Sequence, residues 1–182
     1  MSVSCVAVNH YERAFESWLR DNGIRYISID QQKRAAFART RVKSFDMLVY
    51  PPGEPGQVLV AEIKGKRFNG TSLVGLSGMQ NWVTMEDIRG LKTWEEALGQ
   101  EHKGVFVFVY ELVMVDVEMD GREAYELEGR RYVFFCVMLE DYLSWMTVRS
   151  PRWRTLFLPA RGFRNCCIDA SEILLKVQGI DG

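Results

Sequence analysis

The chain has 182 residues, of which 47% are hydrophobic, 26% charged and 12% aromatic, a balance that excludes intrinsic disorder, collagen-like repeats and a disulfide-stapled miniprotein. Its net charge of -1 argues against a surface that clings to nucleic acid everywhere. No apolar run approaches the roughly 20 residues of a membrane helix and the first ten residues carry no leader pattern, so one soluble, cytoplasmic domain over 1–182 is expected, with no membrane partner.

Tyr11, Ala14, Phe15, Trp18 and Leu19 recur at helical spacing and predict a helix over about 9–22, stopped by Gly23. Residues 42–50 and 57–64 read as two strands, and the Pro- and Gly-rich segment 51–56 between them as a turn, which makes a hairpin. A loop is expected over 65–83. Ile88, Leu91, Trp94 and Leu98 then mark a second helix over about 85–99, with Thr84 as N-cap and Asp87 completing a capping box.

Residues 104–110 are apolar on both faces, as in a strand at the centre of a sheet covered by helices. A second such run at 132–139 leads into a short helix over 140–146. Asp120-Gly121 suggests a hairpin tip inside an acidic insertion at about 111–130. Beyond it come a stretch rich in arginine with an edge strand near 154–158 and a last short helix after Asp169. The order predicts an α/β fold, a mixed sheet flanked by helices.

Charge is unevenly spread. Residues 33–43 hold Lys33, Arg34, Arg39, Arg41 and Lys43 without an acid, and residues 149–164 hold Arg149, Arg152, Arg154, Arg161 and Arg164 without one. Residues 111–128 hold seven acids against Arg122 alone. A basic face opposed to an acidic rim would satisfy the neutral sum. The four cysteines have no zinc-ligand spacing and read as buried thiols. Only two histidines are present, His10 and His102, so no hydrolase triad can be assembled; His10, in a helix's first turn, suits a neutral hydrogen-bonding role.

The chemistry concentrates in the hairpin. On the second strand the two-residue period puts Val58, Val60, Glu62 and Lys64 on one face and Leu59, Ala61 and Ile63 on the other. Asp46 meets Glu62 only if 48 pairs with 60, a register that a loop with three prolines accommodates. Two such carboxylates repel, and a hard divalent cation, magnesium or manganese, relieves the repulsion with Lys64 beside it. That set suits phosphodiester hydrolysis, with Asp46 and Glu62 as metal ligands. The competing reading is a cross-strand Glu–Lys or Asp–Lys pair on an exposed sheet face, against which the apolar neighbours argue. A second Glu-x-Lys, Glu101-His102-Lys103, lacks an apolar flank before it and reads as a solvated turn.

The pattern resembles the PD-(D/E)XK nuclease superfamily, on Glu12 or Glu16 in the first helix, Asp46 in the first strand and Glu62-Ile63-Lys64 in the second. The likeness covers about residues 10–110, and Phe45 stands where the family often has proline. It implies a restriction-endonuclease-like sheet, a Mg2+ or Mn2+ cofactor and a nucleic-acid substrate, with Lys64 positioning the nucleophile and Glu12 or Glu16 assisting. His10-Tyr11-Glu12-Arg13-Ala14-Phe15-Glu16 is also similar to the signature of the HYExAFE proteins, which brings no mechanism.

Glu12 has a rival role in a capping box with Asn9. Lys66, Arg67, Arg41 and Lys43 bracket the site and suit phosphate contacts, or else form a solvated surface. Trp82 and Trp153 are expected to pack rather than to stack on bases. Two alternatives to a nuclease stand: a non-catalytic module on the same fold, which the acidic insertion favours, and a hydrolase of small phosphoesters.

Overall fold

The computed structural model describes residues 9–29 and 42–175; Cys5, Arg41 and the remaining basic positions of 33–39 lie outside them. The elements begin with α1 (His10–Asp21), β1 (Arg25–Ser28), β2 (Met47–Tyr50), β3 (Val58–Phe68) and β4 (Val83–Thr84). They continue with α2 (Met85–Leu98), β5 (His102–Leu112), β6 (Tyr125–Leu127), β7 (Arg130–Met138) and α3 (Leu139–Trp145). The chain then forms β8 (Thr147–Ser150), β9 (Thr155–Phe157), α4 (Ala160–Cys166), β10 (Ile168–Asp169) and α5 (Ala170–Leu174).

Among the described residues the main sheet runs β1-β2-β3-β5-β7-β10, with β6 also on β7. β3 and β5 are parallel, and every other pair is antiparallel. The apolar run predicted at 104–110 is therefore the buried centre, as a strand covered on both faces must be. One face packs Val60, Phe106, Phe108 and Tyr110 under α2, α3 and a smaller sheet ordered β4-β9-β8. The other packs Leu59, Ala61, Ile63 and Val107 under α1 and α5, where Phe15 and Leu19 are fully buried and each stabilise by about 1.5–3 kcal/mol. This is an α/β architecture, a mixed sheet with helices on both faces, in one domain.

The register of the hairpin is the predicted one: Met47 faces Ala61, Leu48 faces Val60 and Val49 faces Leu59. Other boundaries differ. β2 starts only at Met47, and β3 runs on to Phe68, because its partner β5 supplies a full ladder through Leu112, so 65–68 is strand rather than loop. The two-residue hairpin turn of the acidic insertion falls at Glu128-Gly129, both with positive φ (51° and 74°), between β6 and β7. Asp120-Gly121 also takes positive φ but joins no paired strands. β1, β8 and α4 carry too few apolar residues in period to have been foreseen.

Candidate functional site

Asp46 sits where the β2–β3 ladder ends. Its N–H donates to Ala61 O at 3.0 Å, its carbonyl accepts from Ile29 N at 2.9 Å, and its carboxylate Oδ2 accepts the Ile63 N–H at 2.6 Å. The side chain thus supplies the acceptor that the ladder no longer provides, which fixes a carboxylate at 8% exposure. Glu62 follows one residue along β3 from Ala61 and is 4% exposed. Burial first, and then the neighbouring charge of Asp46, push its carboxyl up to about 7 against the pull of Lys64 and Lys43.

Lys64 shares the face of Glu62, as the strand period requires, and its Nζ lies 2.9 Å from Glu62 Oε1 and 2.8 Å from Asp87 Oδ2. Asp87 comes from α2. It caps that helix with Thr84, accepting Thr84 N–H at 2.8 Å while Thr84 Oγ1 accepts Asp87 N–H at 3.2 Å. Burial opposes its ionisation, but Lys64 and Lys43 overcome this and hold the carboxyl well below the usual range.

Lys43 closes the cluster, bridging Glu62 and Asp87 through its ammonium. Its backbone is docked on α2: Trp94 Nε1 donates to Lys43 O at 2.9 Å, and a Cβ at Gly90 would come within 3.0 Å of the same oxygen. Burial acts against the charge of Lys43, and the two acids more than restore it, holding its pKa above the ordinary lysine range.

Around these groups opens a cleft of about 710 Å³, lined among others by Tyr11, Lys64, Gly65, Lys66, Arg67 and Trp82. Lys66, only 7% exposed, lays its Nζ 3.4 Å from the centre of the Trp82 ring. Burial, followed by Lys64 and Arg149, lowers its pKa to about 7. Tyr110 Oη donates to Gln80 O at 2.8 Å and Asn81 spans Leu158 N and O before Trp82, and Val83 pairs with Leu156 after it, so the segment is tied down at both sides.

The structure thus brings Asp46, Glu62, Lys64 and Lys43 into one cluster and places Lys66 and Arg67 along its cleft. It does not bring Glu16 there. That carboxylate accepts from Ser28 Oγ, on the sheet face of Met47 and opposite to that of Asp46. Glu12 lies in the first turn of α1, whose contribution to the cleft lining is Tyr11; Asn9 caps that turn by accepting Tyr11 N–H at 3.2 Å. Arg41 is outside the described residues. His10 Nδ1 shares a hydrogen bond of 3.0 Å with Tyr132 Oη. Glu101-His102-Lys103 falls at the opposite end of the β3–β5 pair, where His102 faces Val58 while Lys64 faces Phe108.

Two carboxylates at one place, both oxygen donors and both buried, fit a hard divalent ion, which takes one or two protein carboxylates and completes its shell with water and phosphate. No group of three or more His, Cys, Asp or Glu suited to a metal ion occurs among the described residues.

No protein-family model matches the chain, nor does any curated protein. Its fold is similar to that of Archaeoglobus fulgidus Hjc, a Holliday junction resolvase from an archaeal hyperthermophile, with a TM-score of 0.50 over 92% of this chain and 94% of that one, at 10% sequence identity. At that identity the likeness establishes the architecture of the sheet and its helices.

Proposed function

We propose that this protein is a divalent-metal-dependent nuclease that hydrolyses phosphodiester bonds in nucleic acid. The observation that supports it best is the convergence of Asp46, Glu62 and Lys64, which the hairpin register forces onto one face beside a cationic cleft. The similar fold of a Holliday junction resolvase is consistent with that chemistry.

Asp46 and Glu62 would hold the ion, magnesium or manganese, which when bound acidifies a water and neutralises phosphate charge. Glu62 would have to be ionised to serve as a ligand, which its burial opposes and Lys64 and Lys43 favour. Lys64, gripped by Glu62 and Asp87, keeps its ammonium at the edge of the cleft, where it positions the attacking water and offsets charge on the phosphoryl oxygens. Lys66 and Arg67 contact neighbouring phosphates.

One observation favours a second reading, a module without turnover: the ammonium of Lys43 already bridges Glu62 and Asp87 and so supplies positive charge to the acids. Cleavage assays separate the two. Single strands, duplexes and four-way junctions of DNA and RNA are incubated with Mg2+ or Mn2+, with Asp46→Ala and Lys64→Ala as controls. Metal-dependent cleavage that falls roughly a hundredfold or more in either variant supports the nuclease. Folded protein that cleaves none of them with either metal leaves the module.

A further inference from the structure

Beside the cleft, the β8–β9 hairpin presents cations and an indole that the acid–lysine cluster does not use. Trp153 is 70% exposed at its tip, with the Arg152 guanidinium 5.2 Å from the ring centre. The tip is fixed rather than loose: Trp153 N–H donates to Ser150 Oγ at 3.3 Å and Arg154 N–H to Pro151 O at 3.3 Å. The pairing of β8 with β9 shifts register between Val148 and Ser150, and Arg149 is the residue at that irregularity. Its guanidinium lies 5.3 Å from the centre of the Trp82 ring, whose other cationic neighbour is Lys66. Trp82 itself lines both the main cleft and a second cavity of about 410 Å³ next to it, which Arg149 also lines.

We propose that this hairpin forms a track for an unpaired nucleic-acid strand leading out of the cleft, with the exposed Trp153 stacking on a base and Arg149 and Arg152 contacting phosphates. The inference rests on the nuclease reading for its substrate class and adds the strandedness. Indoles offer stacking platforms only to bases whose faces are open, and in a duplex those faces are covered by their neighbours. Arginine beside an exposed indole matches the alternation of phosphate and base along a single strand. The segment 147–164 has five arginines and no acid, and among the described residues Arg154 pairs with Glu86 at 3.0 Å.

The test measures fluorescence anisotropy of a labelled oligonucleotide, as single strand and as duplex, with EDTA present so that no cleavage intervenes. Trp153→Ala is expected to weaken strand binding about tenfold, and Trp153→Phe, which keeps a ring, less than about threefold. Duplex binding is expected to change little. Arg149→Gln is expected to reduce the salt slope for the strand by about 0.7. Unchanged strand affinity in Trp153→Ala, an equal loss on duplex, or no strand binding by the wild type overturns the track. Metal-dependent cleavage with an indifferent Trp153 leaves the nuclease and removes only the track; Trp153-dependent strand binding without cleavage under any metal does the reverse.

Discussion

Asp87 Oδ2 accepts two donors at the same distance, 2.8 Å from Thr84 N and 2.8 Å from Lys64 Nζ, so one oxygen both caps α2 and orients the lysine of the candidate site. Asp87→Asn keeps an oxygen for the cap but removes the charge. Stability is expected to fall by about 3 kcal/mol, because Lys64 and Lys43 lose a buried partner, and cleavage falls roughly tenfold or more because Lys64 loses a fixed counter-charge. Asp87→Ala adds the lost cap, a further cost of about 1–2 kcal/mol in urea unfolding. The carboxyl's lowered pKa sets the pH window: its stabilisation is complete above the ordinary value of 3.8 and is lost as pH falls below it. The advantage of the wild type over Asp87→Asn should therefore vanish in acid.

On the proposed function Lys43 would compete with a metal ion for Glu62, since its ammonium already bridges that carboxylate and Asp87. Lys43→Gln removes a positive charge from the ligand set without orphaning the buried acids, because Glu62 and Asp87 both keep Lys64. Calorimetry with Mn2+ should show affinity rising about tenfold in the variant. Weaker binding than wild type would mean that Lys43 supports the ligands instead of displacing the ion.

Gly65 lies under the ring of Tyr11, with a Cβ there falling 2.1 Å from Tyr11 Cδ2. α1 can thus approach β3 only because residue 65 has no side chain. Gly65→Ala is expected to cost about 1–3 kcal/mol by overpacking. Tyr11→Ala in the same background should recover most of that loss, and a double-mutant cycle by urea unfolding measures the coupling.

How much of this was legible in the sequence depends on what else could explain each residue. The hairpin register was readable because a single slip would have turned Leu48 and Val60 to opposite faces, and the loop of 51–56 fits the observed pairing. Asp87 was read as a cap, which it is, and that sufficient local explanation concealed its contact with Lys64. Lys43 looked like one cation in a basic run; nothing in its spacing reveals that Trp94 and Gly90 dock its backbone on α2. Trp153 was expected to pack, as most tryptophans do, but at the tip of the β8–β9 hairpin it is 70% exposed.

On the proposed function Lys66 should make nucleic-acid binding depend on pH. Its folded pKa of about 7 lies below the ordinary 10.5, because burial and the charges of Lys64 and Arg149 disfavour the ammonium. In the protein alone, stability therefore falls as pH drops from 10.5 towards 7, where the unfolded chain takes up the proton and the folded chain does not. A phosphate placed next to Lys66 acts in the opposite direction and favours the protonated amine. Binding above about pH 7 then takes up a proton, and affinity declines by at most about tenfold per pH unit as pH rises. Lys66→Gln should bind with the weak high-pH affinity throughout and flatten the profile. A wild-type profile that is itself flat on both sides of pH 7 would show that no phosphate comes near this lysine.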